Sequence, residues 1–226
     1  SKHARAVEWV DMDKLEKQEK PPKENRRAWA LTGGMAGVLF LILASVVWHG
    51  KVPSWEAEIF GRLNGWQAPQ WVDWLAHMSS GAVWAIVFAT AALLLIKRYA
   101  KAAWRIAVPG GVTYCAVYVA EHIIGRGRPE AILTAQELML RASQGGYGFP
   151  SGHMGVMTAV AITIWPYLSW WLRVFAIVLT VLVGWSRIYL GVHMPLDIVG
   201  GFLVGVVVVC CIKVTPYVLR KRLRLI

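Results

Sequence analysis

Residues 172–214 read LRVFAIVLTVLVGWSRIYLGVHMPLDIVGGFLVGVVVVCCIKV. Two apolar runs, Leu172–Tyr189 and Pro195–Val214, each approach the roughly 20 residues that a membrane-spanning helix needs. Only a short turn separates them, so they read as consecutive helices that meet at one membrane face. Ser186, Arg187, His193 and Asp197 all fall at that junction. Ionisable groups close to membrane depth are costly to keep, and such residues carry a functional hypothesis by default.

Working outward, four more apolar runs lie near Ala28–Trp48, Ser80–Ile96, Ile106–Ile124 and Met154–Leu168, the last of them short. The 226 residues are 57% apolar and only 16% charged, and they include 13 tryptophans, a composition that speaks for a membrane protein. An open sheet edge cannot face lipid. The expected fold is therefore all-α and polytopic, with six transmembrane helices. The stretch Pro53–Met78 carries Trp55, Ile59, Leu63 and Trp66 at helical spacing, then Trp71, Trp74 and Leu75. It reads as one or two amphipathic helices in the outer interface, where indole rings prefer to sit. Anchoring is the simpler role for them, and a lateral wall guiding a lipid is the functional one.

Three divisions follow: a charged cytoplasmic tail over 1–27, a six-helix domain over 28–217 and a basic cytoplasmic tail over 218–226. The first 27 residues lack the apolar core of a cleavable signal, and the start without Met leaves room for fusion to an upstream domain. The net charge of +11 raises the question of nucleic acid, which its distribution answers. Placing both termini inside leaves six of the 24 basic residues outside: Lys51, Arg62, Arg126, Arg128, Arg141 and Arg187. That is the positive-inside pattern of a plasma-membrane protein rather than a nucleic-acid-binding face. Cys115, Cys210 and Cys211 lie inside apolar runs and read as small fillers, with no disulfide framework. The pairs Gly33/Gly37 and Gly201/Gly205 read as close helix packing and leave an oligomer open.

The chemistry-bearing residues gather in three places on the expected non-cytoplasmic side. These are Glu121 to Pro129, Pro150-Ser151-Gly152-His153, and Ser186-Arg187 with His193 and Asp197. Arg128 and Arg187 offer planar forks that match phosphate oxygens. Ser151 and Gly152 open a helix whose free N–H groups suit an anion. Asp197, one turn after His193, can hold one imidazole nitrogen and leave the other as a lone pair aimed at phosphorus. His153 can protonate a leaving oxygen. No cluster of carboxylates is present to hold a metal, so neither metal nor cofactor is expected.

Those residues resemble the type 2 phosphatidic acid phosphatase (PAP2) superfamily, whose three blocks are K-x6-R-P, P-S-G-H and S-R-x5-H-x3-D. Residues 150–153 match the second block, and Ser186, Arg187, His193 and Asp197 match the third. Arg128-Pro129 match the end of the first, but Glu121 stands where that block has lysine. The resemblance covers roughly residues 28–217. It implies a phosphohistidine on His193, His153 as acid and base, and Asp197 orienting the nucleophile. Phosphate contacts are implied for Arg128, Ser151, Gly152 and Arg187. Arg126 is a candidate to supply part of the missing charge, and Glu121 to pair with Arg126 or Arg128. Arg141 and Glu137 are read as surface or headgroup contacts, and His122 as a structural hydrogen bond.

The expected activity is hydrolysis of a lipid phosphate or polyprenyl (di)phosphate held in the bilayer. A phosphotransferase passing the group to a hydroxyl acceptor and a non-catalytic lipid-binding module are the alternatives.

Overall fold

The last helix begins at Pro195, a residue preorganised for the first helical position. The Asp197 carboxylate returns to accept the Met194 N–H at 2.8 Å, closing the N-terminus on itself. The computed structural model describes residues 26–94, 96, 100–134 and 137–215. Among them lie eight α-helices: α1 (Arg26–Val47), α2 (Ser54–Asn64), α3 (Gln70–Leu94), α4 (Ala100–Ile124), the single turn α5 (Pro129–Ile132), α6 (Gly152–Ile164), α7 (Trp170–Tyr189) and α8 (Pro195–Val214). No strand occurs among the described residues; Gly127 and Tyr147 form an isolated bridge between two loops. Most of both expected tails, residues 1–25 and 216–226, lies outside the described residues.

Helix α6 sits at the centre, packed by α4, α7 and α8, while α1 lies along α8 and α3 against α7. Small residues permit the closest approaches. A Cβ on Gly205 would stand 2.6 Å from the Gly155 carbonyl oxygen and 2.9 Å from Thr158, and one on Gly33 would stand 2.7 Å from Cys210. Both glycine pairs thus serve packing within the bundle. Cys210 is buried at that α1–α8 seam, and all three cysteines are free.

The outer surface is apolar. Leu31, Met35 and Leu41 on α1 and Trp170 and Trp171 on α7 are each about two-thirds exposed, which water would penalise and lipid does not. The chain is an integral membrane protein. Among the described residues, Arg26–Gly50, Trp170–Tyr189 and Pro195–Val214 are both long and apolar enough to cross a bilayer. Helices α3 and α4 have 25 residues each, about 37 Å at 1.5 Å per residue. The run expected from Met154 to Leu168 is a 13-residue helix that gives way to a 3-10 turn at Trp165–Tyr167. At about 20 Å it is shorter than a bilayer core.

The interfacial segment differs from expectation. Only Ser54–Asn64 forms a separate helix, and Gln70 to Met78 is the first third of α3. On α2 the apolar stripe does face outward, with Trp55 half exposed and Ile59 43% exposed. The opposite face is not solvated: Glu56, Phe60 and Asn64, four residues apart, are buried. This helix therefore packs its polar stripe into the protein.

Candidate active site

Four helix ends meet at one end of the bundle. Helix α4 stops at Ile124, where Gly125 takes φ +66°, a left-handed turn open to glycine, and the chain swings into Arg126-Gly127-Arg128. Helix α6 starts at Gly152, α7 ends at Tyr189 and α8 starts at Pro195. The turn from α7 to α8 is pinned by the Arg187 carbonyl, which accepts from the Val192 and His193 N–H groups at 3.1 and 3.2 Å. The loop before α6 is clipped to the loop after α4 by the Gly148 N–H, donated to the Arg126 carbonyl at 2.7 Å.

His193 is fully buried at this crossing. The Gly148 carbonyl lies 2.9 Å from its Nδ1, and Arg128 Nη1 lies 3.0 Å from its Nε2. A guanidinium can only donate, so Nε2 is the acceptor and Nδ1 carries the hydrogen. Burial, with Arg128 and Arg187 nearby, holds the imidazole well below its usual range and keeps it neutral. The lone pair of Nε2 is the one left for chemistry. Asp197 does not hold the ring by the direct hydrogen bond that its spacing suggested. Its Oδ2 is 3.5 Å from Nδ1 because that oxygen caps Met194, and the Gly148 carbonyl stands closer.

Arg128 donates from Nε to the Gly145 carbonyl at 3.1 Å and from Nη1 to the Val192 carbonyl at 3.0 Å. Its Nη2 makes no hydrogen bond among the described residues, so that arm is open to a ligand. A cavity of about 150 Å³ lies before Arg128 and His193, bounded also by Glu121, Gln144, Gly152 and His153. Val83, Trp84 and Val87 of α3 and Tyr114, Val117 and Tyr118 of α4 form its apolar flank. Trp84, Tyr114 and Tyr118 are each about half exposed on the outer surface, so this flank reaches the lipid side.

Other expected ligands stand further back. Arg187 donates Nη1 to Ser80 Oγ at 2.5 Å and Nη2 to the Gln144 side chain, and it touches the cavity through that glutamine. Ser151 is fully buried, its Oγ unpartnered and its N–H donated to the Asp197 carbonyl at 2.9 Å. Its side chain caps nothing, so the free N–H groups of the first turn of α6 belong to Gly152 and the residues after it.

Arg126 is neither a phosphate ligand nor a solvated loop residue. It is fully buried between two carboxylates, with Nη2 at 2.6 Å from Glu56 Oε2 and Nη1 at 2.7 Å from Asp197 Oδ1. Burial works against its charge, but Asp197 and Glu56 outweigh it and hold Arg126 above its usual range. The expected Glu121–Arg126 pair therefore does not form. Glu121 is half-buried on the cavity wall that Arg128 shares, with no direct salt bridge among the described residues.

Arg141, expected at the surface, staples the region from behind. It donates to the carbonyls of Asn64, Tyr189 and Trp66 at 2.6, 2.9 and 2.9 Å, and its guanidinium lies 4.0 Å over the Tyr189 ring. Glu137 is at the surface, accepting from Thr134. His122 bonds the Tyr118 carbonyl at 2.7 Å, as a structural histidine does. Sequence reasoning missed Glu56, Gly148, Gln144 and Asn64. Only the four-residue spacing of Glu56, Phe60 and Asn64 offered a signal; a backbone carbonyl such as that of Gly148 offers none.

The sequence profile of the PAP2 superfamily matches residues 102–221. An undecaprenyl-diphosphatase from Sulfolobus acidocaldarius is 27% identical over 172 residues, covering 74% of this chain and 83% of that protein. A lipid A 4'-phosphatase from Bacteroides thetaiotaomicron is 25% identical over 162 residues, covering 66% and 72%. The crystal structure of a transmembrane PAP2-type phosphatidylglycerolphosphate phosphatase from Bacillus subtilis superposes with a TM-score of 0.63 at 24% identity, over 80% of this chain and 94% of that one.

Proposed function

The chain belongs to the PAP2 superfamily of membrane phosphatases, and from that premise we propose that it hydrolyses a lipid phosphate at the cavity before His193, with the lipid tail left in the bilayer. One observation carries this reading: Nε2 of a neutral, tethered histidine and the guanidinium of Arg128, in contact at 3.0 Å, open together onto one cavity whose apolar flank is formed by α3 and α4.

In the proposed reaction the phosphoryl oxygens take over the hydrogen bond that Arg128 Nη1 gives to Nε2, which frees the lone pair. Nε2 attacks phosphorus, the P–O ester or anhydride bond breaks, and His153 gives its proton to the leaving oxygen. The positive charge that develops on the imidazole is held by the Gly148 carbonyl and the Asp197 carboxylate. Water then attacks phosphorus, giving its proton to His153; the P–N bond breaks, its electron pair returns to Nε2 and inorganic phosphate leaves. Arg128, the N–H groups at the start of α6 and Arg187, once phosphate displaces Gln144, stabilise the equatorial oxygens.

The basic-residue distribution supports both termini on the cytoplasmic side, six spans across 28–217 and this site on the other face. An outward site with an apolar flank suits a polyprenyl phosphate or diphosphate, and a phosphatidylglycerol-type phosphate fits the same walls.

The test is phosphate release by purified protein, in EDTA, from lipid mono- and diphosphates and one soluble sugar phosphate, with the label on phosphorus. Label in free phosphate from lipids, and none with His193→Ala, is the expected result. Label moved onto another hydroxyl would make the protein a phosphotransferase, and turnover of the sugar phosphate alone would refute the lipid assignment.

A further inference from the structure

We propose that Glu56, on α2 and outside the three sequence blocks, is a positioning residue for His193 that acts by holding Arg126 away from full neutralisation of Asp197. The inference rests on the reading of His193 as nucleophile.

Glu56 is fully buried and both of its oxygens are engaged. Oε2 meets Arg126 Nη2 at 2.6 Å, while Oε1 meets Arg126 Nη1 at 3.1 Å and accepts the Leu196 N–H at 2.8 Å. It thus grips the guanidinium with two oxygens and caps the start of α8 with one of them. The same Arg126 Nη1 reaches Asp197 Oδ1 at 2.7 Å, and Asp197 Oδ2 lies 3.5 Å from His193 Nδ1. Three steps therefore lead from α2 to the nucleophile.

The charges do not cancel. Two carboxylates and one guanidinium, all with fully buried side chains, leave one excess negative charge behind a neutral imidazole. Burying ions is costly even when they are paired, and apolar packing would hold α2 more cheaply. The excess has a use during the reaction. When Nε2 bonds phosphorus, the ring becomes cationic with its Nδ1–H beside Asp197, and the buried group then approaches neutrality. Asp197 and Arg126 alone would cancel before the reaction began. By holding Arg126, Glu56 leaves the Asp197 charge available to the cation that forms only on phosphoryl transfer, which is differential stabilisation of the transition state.

Glu56→Gln keeps the shape and the acceptor for Leu196 while removing the charge. With His193→Ala first shown inactive, so that the nucleophile is established independently, kcat for lipid phosphate should fall about 10- to 100-fold, the usual scale for removing a supporting partner. KM and the inhibition constant of inorganic phosphate should stay within about twofold, because neither ligand makes the ring cationic. The inhibition constant of vanadate, a mimic of the transferring group, should rise by the factor that kcat loses. In an Asp197→Asn background the same substitution should change kcat by less than about twofold, since Glu56 acts through Asp197. Glu56→Asp, charged but one methylene short, should lie between wild type and Gln, and it carries the test alone if Gln does not yield folded protein. A Gln variant with wild-type kcat, KM or phosphate binding moving with kcat, an undiminished loss in the Asn background, or an Asp variant no better than Gln would each overturn the proposal.

Discussion

Gly148→Ala isolates the contact that orients His193, the proposed nucleophile. A Cβ at this position would stand 3.0 Å from Asp197 Oδ2, 3.2 Å from the Gly127 carbonyl oxygen and 3.5 Å from Arg128 Cα, where ordinary contact starts at 3.4 Å. Something must move by about 0.4 Å, the gap between 3.0 and 3.4 Å. Asp197 is fixed by Arg126 and Met194, and Gly148 by its own N–H to the Arg126 carbonyl. The compliant element is the Gly148 peptide, whose carbonyl holds His193 Nδ1. If a 1 Å misplacement costs about 100-fold, then 0.4 Å costs about five- to tenfold, or about 1 kcal/mol of activation free energy. The assay is kcat and KM on a lipid phosphate in detergent, with Tm on the same preparation to show that the variant is folded. The expected result is the loss in kcat with KM unchanged, since Arg128 and the cavity walls stay in place. A folded alanine variant with kcat within twofold of wild type would refute the geometry and leave Asp197 as the residue that sets the ring.

Other perturbations separate the remaining roles. His193→Ala should abolish phosphate release, whereas His153→Ala should retain a rate lower by roughly 10²–10⁴, the worth of a positioned proton donor; equal residual rates would show that the two histidines do not divide the work as proposed. Arg126→Ala leaves two buried carboxylates without their cation, so it should destabilise the fold by about 3–5 kcal/mol and lower Tm in detergent, while a wild-type Tm would mean that the triad is not buried. Glu121→Lys adds a cation to the cavity wall and should raise kcat/KM for a diphosphate lipid relative to its monophosphate, and an unchanged ratio would put the carboxylate outside the reach of the substrate.

The sequence was informative wherever a single segment specified its own environment. The runs ending in α7 and α8 carry their length and apolarity locally, and the motifs at their junction follow from where those runs stop. Glu121 on the cavity wall and His122 on the carbonyl of the preceding turn likewise needed only the end of α4. Legibility failed where a residue's partner lay on a distant segment. Arg126 can point outward to phosphate or inward to acid, and Glu56, 70 residues away, decides between them. Arg141 was read as a surface residue because nothing near it in sequence shows the carbonyls of Asn64 and Tyr189 that it binds. Trp55 and Ile59 of α2 do lie on an outward face, as their spacing suggested. Hydropathy counts a glutamate and an asparagine on the other face as solvated, so it hid a face turned into the protein.

On the proposed mechanism, the distribution of charge gives α2 a role in the chemistry. Cations gather on the phosphate side of His193, where Arg128 contacts the ring and Arg187 waits behind Gln144. These cations attract the substrate but oppose a positive imidazole, and they are among the causes that hold His193 well below its ordinary range. In the proposed mechanism, the cationic phosphoimidazole that forms in such a field is stabilised by an anion on its far side. Asp197 is the nearest candidate, yet it caps α8 and meets Arg126, so on its own it would be electrically silent. Glu56 is a second buried carboxylate that engages the same guanidinium and does not line the cavity. The chain supplies it from a helix that is not part of the central bundle, with Phe60 and Asn64 buried on the same stripe. Asn64 bonds both ways to Met139, accepting its N–H at 2.7 Å and donating to its carbonyl at 2.9 Å, and donates to the Tyr189 carbonyl at 3.0 Å. The helix that carries the acid is thereby tied to the end of α7, which carries Arg187 and leads into the turn that holds His193.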